Sequence, residues 1–265
     1  MNAKNLDYLK DGLRYLGFGT NLSEELEKNV RQQQPEFHLK VQMPYFKSQV
    51  DYTLHFRRSD QVDMYFFNKY DATLKPDNGE KDRVQTFYIN KNSGITAREA
   101  YNLLNGRSVY KDLVNAEGQP YKAWLQLENQ KRDQQGNHKV KQFHENYGFD
   151  LEKTLKQFAI KELSDPEKEE QLFKSLQKGN VQLITAVQDG QEVKRFVEAS
   201  PQFKTINVYD ERMKPLKRET LLRQDSKRED AVRKEQKTQQ NEKKQDFTKD
   251  DQLEKKRPRK KGLSL

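Results

Sequence analysis

The chain has 265 residues, 50 of them Lys or Arg against 41 Asp or Glu, with a formal net charge of +9 and a mean hydropathy of −1.19. That length suits one large or two small domains, and no stretch approaches the roughly 20 apolar residues of a membrane-spanning helix. Cysteine is absent, which excludes disulfides, thiolate metal sites and cysteine nucleophiles.

Leu6, Leu9, Leu13 and Leu16 recur at helical spacing, and Gly17 and Gly19 end that helix. Asn21 with Glu24 resembles a second helix start, and Leu22, Leu26 and Val30 line one face. The period then changes to two. "FHLKV" alternates, and "VDYTLHF" puts Val50, Tyr52, Leu54 and Phe56 on one side. "DMYFFNKYDATL" and "RVQTFYI" follow, with "PDNGE" as a turn between them, so four or five antiparallel strands are expected.

At "SGITAREAYNLLNGR" the helical period returns. Thr96 with Glu99 forms a capping box, Ile95 is placed as a hydrophobic staple, and Gly106 falls at a left-handed C-terminal cap. "SVYKDLV", the turn "NAEG" and "PYKAWLQLE" make a hairpin, and the polar loop "NQKRDQQGN" leads to a strand in "HKVKQFHENYG". Asp150 is a plausible N-cap for a stripe of Leu151, Leu155, Phe158 and Ala159, and Pro166 opens a further helix carrying Leu172, Phe173 and Leu176. "VQLITAV" and "EVKRFVEA" flank Asp189-Gly190, a strong hairpin signal. "FKTINVYD" adds a strand, and "MKPLKRETLL" closes the body.

Past Leu222 the composition shifts. Residues Arg223 to Leu265 hold 15 Lys and Arg against 9 Asp and Glu, which leaves 35 of the 50 basic and 32 of the 41 acidic residues for the body. The body therefore has an ordinary surface charge, and the high isoelectric point belongs to the tail. The tail has Glu and Lys at helical neighbour spacing but almost no apolar face, so a disordered or loosely helical extension is expected. The opening residues have no apolar run of signal-peptide length, and a cytoplasmic location is the expectation.

These readings give an α+β fold of repeated helix–β-hairpin units with antiparallel sheets, followed by the basic C-terminal tail. The units run 1–94 (two helices and a sheet), 95–149, 150–222 and 223–265 (the tail). The repetition rests on "LLNGRSVYKDLVNAEGQPYKAWLQLEN" set against "SLQKGNVQLITAVQDGQEVKRFVEASP": Gly106 to Gly118 is a step of 12, Gly179 to Gly190 a step of 11, and Gly106 to Gly179 a step of 73. Val109 answers Val181, Tyr121 answers Val193, and Leu125 answers Val197 or Phe196. A looser first copy without glycines lies in "NVRQQQPEFHLKV…VDYTLHF". The order also disposes of a phosphate loop, because the helix precedes the glycine and presents its C-terminus, the wrong end for an anion. Trp124, the only tryptophan, is open to a core role or a base-stacking one.

No catalytic constellation stands out. The histidines are His38, His55, His138 and His144, none paired at helical metal spacing. His138 and His144 share a strand face roughly 20 Å apart at ~3.3 Å per residue, as two surface imidazoles. In "HENYG" the adjacent His144 and Glu145 are expected on opposite faces. No catalytic residue, metal ligand or cofactor is expected. Electrostatics point elsewhere. The run "KKRPRKK", with Lys255, Lys256, Arg257, Arg259, Lys260 and Lys261, can neutralise phosphates and give salt-sensitive, sequence-independent contact with nucleic acid. In the body, Arg57 and Arg58 are candidates for phosphate contact, and Tyr65 and Tyr70 for stacking on bases. The competing account is a protein-interaction or assembly module whose strand edges take a partner, with a solvating tail.

The phrases "NLDYLKDGLRYLGFG", "DMYFFNKYDATL", "TAREAYNLLNGRSVYKDLVNAEGQPYKAWLQL", "HENYGFDLEKTL" and "LQKGNVQLITAVQDGQ…RFVEASPQFKTINVYD" together resemble an uncharacterised protein family of anaerobic gut bacteria, often found near conjugative or mobile-element genes. The likeness covers nearly all of residues 1 to 222. It implies no activity, cofactor or catalytic residue. It suggests a context instead: an accessory in mobile-element DNA processing or transfer. The expected function is a non-enzymatic accessory protein with weak, mainly electrostatic nucleic-acid contact.

Overall fold

A computed structural model describes residues 2–45, 48–89, 94–188 and 190–223. The basic tail, with Lys255 to Lys261, and Asp189 of the expected hairpin turn lie outside the described residues. Helices and antiparallel sheets are mixed, as the α+β expectation requires, and no described helix is long and apolar enough to cross a membrane.

Two helices come first, α1 (Ala3–Tyr15) and α2 (Ser23–Arg31). The leucines at 6, 9, 13 and 16 are all buried, so the helical stripe does what its spacing says. Asn21 does not cap α2; the N-cap position is Leu22 and has no side-chain hydrogen bond, while Glu24 and Glu25 complement the helix dipole from the first turn. Strands β1 (Glu36–Tyr45), β2 (Ser48–Arg58), β3 (Tyr65–Pro76) and β4 (Arg83–Tyr88) form one antiparallel meander in chain order. Val50, Tyr52, Leu54 and Phe56 face the core beneath α1 and α2.

Helix α3 (Ala97–Leu104) carries the full capping box. The Thr96 hydroxyl accepts from the Glu99 amide, and the Glu99 carboxylate accepts from the Thr96 amide. A three-stranded meander follows: β5 (Val109–Val114), β6 (Pro120–Arg132) and β7 (His138–His144). Strand β6 runs on through the stretch expected as a polar loop, and the turn is confined to Asp133–Asn137, where the Asp133 carboxylate accepts from the Gln135 and Asn137 amides. Asp150 caps α4 (Leu151–Lys156) as expected, and Asp165 caps α5 (Pro166–Gln177) with Pro166 in its first turn. The last sheet is again a meander, β8 (Gln182–Gln188), β9 (Gln191–Ser200), β10 (Thr205–Tyr209) and β11 (Pro215–Leu216). Leu222 bridges back to Phe158, so the body closes beside α4.

The core is in two clusters, and the middle sheet serves both. Val109, Leu125 and Leu127 join the first cluster with α1, α2, α3 and the first sheet. Trp124 and Phe143, on the other face of the same strands, join the second cluster with α4, α5 and the third sheet. Ala123, Trp124 and Leu125 are consequently all buried, and β6 lacks the in–out alternation of a one-sided strand. Both cores therefore draw residues from the 95–149 unit. The edges of the first two sheets are tied by side chains: the Thr86 amide donates to Asn137 Oδ1 at 2.8 Å, and the His138 amide to Gln85 Oε1 at 2.8 Å.

Each of α2, α3 and α5 ends in the same way. A left-handed residue follows (Gln33, Gly106 or Gly179, with φ of 54°, 80° and 76°), and a strand begins three positions later at Glu36, Val109 or Gln182. In the last two, that first strand residue pairs with Leu125 or Val197, each seven residues past the turn glycine Gly118 or Gly190. In these pairings Val109 meets Leu125, and Gln182, not Val181, meets Val197.

Candidate functional site

The expected nucleic-acid residues of the body do not form a binding surface. Arg57 and Arg58 end β2 above a groove lined also by Glu36, Asp60 and Asp63. Arg57 sits 3.5 Å from Glu36 and 3.6 Å from Asp60, and Arg58 lies 3.6 Å from Asp63. Two cations against three carboxylates make the groove a poor seat for phosphate. Tyr65 and Tyr70 do not reach solvent. Tyr70 is fully buried and its hydroxyl donates to the Ile95 carbonyl at 2.6 Å, while Tyr65 donates to the Gln34 carbonyl at 2.7 Å. A β-bulge at Asn68, between Phe67 and Lys69, brings both rings to the core side of β3 although they are five residues apart, and there they join an aromatic core with Phe18, Phe37 and Tyr52, so no base can stack on them.

The histidines also rearrange. His138 is buried, with its amide held by Gln85 and its ring nitrogen Nδ1 3.2 Å from the Glu128 carbonyl, so it is no surface imidazole. His38 and His55 are direct cross-strand partners with ring centroids 4.5 Å apart. His55 Nε2 lies 2.6 Å from Asp71, whose other oxygen accepts from the Thr86 hydroxyl at 2.7 Å. The hydroxyl is bound to the carboxylate and not to the imidazole. A nucleophile–base contact is therefore missing from this row. Among the described residues no group of three or more His, Asp or Glu is placed to hold a metal ion.

A cationic cluster that the sequence did not reveal lies along α3, around Tyr101. Tyr45, at the end of β1, stacks on Tyr101 of α3, with centroids 4.0 Å apart and planes 7° from parallel. The guanidinium of Arg98 lies 5.3 and 5.4 Å from those two ring centres, and that of Arg107 lies 5.0 Å from Tyr101. Arg98 and Tyr101 are three apart on one helix, and Gly106 turns the chain so that Arg107 returns over the same ring. Neither arginine has a carboxylate partner among the described residues. Arg98 Nε instead donates to Asn180 Oδ1 at 3.1 Å, which brings in the turn between α5 and β8. Arg107 Nε is buried with no hydrogen-bond partner, as are Asn102 Oδ1 and the Oε1 of Gln126, whose Nε2 donates to the Gly106 carbonyl. Cations stacked on tyrosine and unpaired by acid keep their charge for an outside anion.

A second feature is a cleft of about 530 Å³ on the other side of the middle sheet. Tyr110, Trp124 and Phe143 are successive cross-strand partners on β5, β6 and β7, so their rings form one row. Phe149 packs edge-on against Trp124 at 5.4 Å, and Phe173 of α5 completes the apolar wall. His144, Glu145, Asp150 and Glu152 line the same cleft, and no lysine or arginine does. His144 and Glu145, expected on opposite faces of a strand, come together because β7 ends at His144 and a single 3-10 turn begins at Glu145. Burial first, with the Glu145 charge second, raises the Tyr110 phenol above its ordinary range. Comparison of the chain with family models, curated proteins and solved structures finds no match.

Proposed function

We propose that this is a non-enzymatic accessory protein that makes weak, mainly electrostatic contact with nucleic acid, of the kind that serves mobile-element DNA processing or transfer. The observation that supports it is the pair Arg98 and Arg107, stacked against Tyr101 and free of carboxylate partners among the described residues. In this reading the body's contact moves from Arg57 and Arg58, which acids neutralise, to Arg98 and Arg107. The run Lys255 to Lys261 adds non-specific attraction. Binding by so few cations is weak and falls steeply with salt.

The test is fluorescence anisotropy of a labelled single strand and a labelled duplex at two salt concentrations. Full-length protein binds at the lower salt. Replacing Arg98 and Arg107 by Gln lowers affinity for all sequences alike and reduces the salt slope by about one for each phosphate no longer neutralised. Neutralising Lys255 to Lys261 lowers it further. Absence of binding by the full-length chain at low salt refutes the proposal.

A second reading, an assembly module, is favoured by the spacing of the units. Gln33, Gly106 and Gly179 follow one another at intervals of 73 residues, as do the strand starts Glu36, Val109 and Gln182. We read these as three copies of one helix–meander unit, the first with Gln33 in place of glycine. Stacked units of this sort bury one another's faces and leave an extended surface for a partner. A stoichiometric partner recovered by the full-length protein, with affinity unchanged in the Arg98→Gln, Arg107→Gln variant, would favour this reading over the first.

A further inference from the structure

We infer that the aromatic cleft of the middle sheet is the receptor for the chain's own basic run, Lys255 to Lys261, and takes a guanidinium or alkylammonium group from it. This inference stands on the cleft and holds whether or not the protein contacts nucleic acid.

Four observations carry it. The cleft has the chemistry of a cation site. A row of Tyr110, Trp124 and Phe143 with Phe149 and Phe173 offers the negative faces of π-systems, and the charged residues lining it are Glu145, Asp150 and Glu152. That acidity is local in a chain of net charge +9. The second observation concerns unused bonding capacity. Asp150 and Glu152 have Lys153 and Lys156 as partners, but the exposed Glu145 carboxylate has no ion-pair partner among the described residues. An unpaired carboxylate beside aromatic faces suits a guanidinium or alkylammonium group.

The third is position. The body ends where Arg223 donates its amide to the Gln157 carbonyl at 2.9 Å, and its Nε to the Phe158 carbonyl at 3.2 Å. Gln157 is the C-cap of α4, and Leu151 at the other end of α4 lines the cleft. Six residues of helix separate the two, about 9 Å at ~1.5 Å per residue. The fourth is length. Lys255 lies 32 residues beyond Arg223, a contour of up to about 100 Å at ~3.3 Å per residue, so the run reaches the cleft with ample slack. Attachment within the same chain then raises the local concentration of the basic run to the order of millimolar, at which a weak cation–π contact is populated.

Trp124 is the only tryptophan, so the indole N–H gives one resolved peak in a ¹⁵N correlation spectrum of the full-length protein. The comparison protein is the full chain with Lys255, Lys256, Arg257, Arg259, Lys260 and Lys261 replaced by Gln, which leaves the body untouched. The Trp124 indole peak is expected to differ between the two by more than a linewidth at low salt and to converge as salt is raised. Adding a synthetic peptide of residues 249–265 to the Gln variant moves the peak back toward its full-length position. Glu145→Gln in the same variant raises the peptide concentration needed by roughly two- to fivefold, the effect of one partly exposed charge. Superimposed indole peaks in full-length and Gln-variant proteins overturn the inference. So does a peptide that shifts the Gln variant while leaving those two peaks superimposed, because the cleft then binds a cationic partner and not the chain's own run.

Discussion

Gly179→Ala tests how the third unit is seated on the second. Gly179 follows α5 with φ of 76°, a conformation in which a Cβ meets its own backbone at a cost of about 1–2 kcal/mol. A Cβ there would also lie 2.7 Å from the Ser108 carbonyl oxygen, 3.0 Å from Val109 Cγ2 and 3.1 Å from Asn102 Cβ. The first of these is backbone, and Asn102 is fixed by bonds from its Nδ2 to the Lys178 carbonyl at 2.6 Å and Asn180 at 2.9 Å, so none gives way easily. Overpacking of this kind costs a further 1–3 kcal/mol or so, for a total of about 2–5 kcal/mol. Gly118 has φ of 81° and nothing within 4 Å of its Cβ position, and Gly106 has only the Asn129 amide nitrogen at 4.0 Å. Alanine at either should cost the backbone strain alone, about 1–2 kcal/mol. Urea unfolding followed by Trp124 fluorescence, with the midpoint shift multiplied by the slope, gives all three values. A Gly179→Ala cost within about 0.5 kcal/mol of the Gly118→Ala cost would refute the packing argument.

Removing the Tyr70 hydroxyl leaves the buried Ile95 carbonyl short of its donor, so Tyr70→Phe should lower stability by about 1–3 kcal/mol in the same assay. Burial raises the phenols of Tyr52 and Tyr70 well above their ordinary value, which favours the neutral folded form. Their contribution is complete below the unfolded value of about 10 and is lost as pH rises above it, at about 1.4 kcal/mol per pH unit for each ring. Urea midpoints should therefore fall above about pH 10, and the fall should be shallower in Tyr52→Phe. Glu99 pairs with Lys111 at 3.1 Å in a nearly buried ion pair and also caps α3. Glu99→Ala should thus cost about 3–5 kcal/mol, against about 1 kcal/mol for the cap alone in Thr96→Ala. Equal losses in these two variants would show that the ion pair contributes nothing.

What the sequence reveals is local. The Thr96–Glu99 box, the Gly106 cap, the Asp150 and Pro166 starts and the core stripe of β2 depend on residues a few positions apart, and the structure keeps all of them. Which side of a sheet is covered depends on elements far away. Tyr65 and Tyr70, five residues apart, share a face only because β3 bulges at Asn68, and only α1 and α3 packing on β3 makes that face the buried one. Trp124 is ambiguous in sequence because the middle sheet is covered on both faces, which erases the period of two in β6. The Arg98 cluster is illegible for the same reason. Its tyrosine stack joins β1 to α3, and its Asn180 partner lies 82 residues on. Arg57 and Arg58 stand out as adjacent bases, while the acids that neutralise them are supplied by β1 and by the turn after β2.

Linkage separates a ligand held by the body from one held by the tail. The Arg98 and Arg107 guanidinium groups are brought together by Tyr45 of the first sheet, Tyr101 of α3 and Asn180 beyond α5, so the cluster exists only in the folded chain. An anion bound there binds the folded chain and not the unfolded one, and it stabilises by about 2.7 kcal/mol at a hundredfold excess over Kd. A linear run such as Lys255 to Lys261 needs no fold to attract phosphate, so binding through it alone does not stabilise the folded chain. A single-stranded oligonucleotide should therefore raise the Tm of full-length protein. The rise should survive neutralisation of Lys255 to Lys261, once the concentration is raised to restore occupancy, and should vanish in the Arg98→Gln, Arg107→Gln variant. Binding without any rise in Tm would place the nucleic acid on the tail and remove Arg98 and Arg107 from the site.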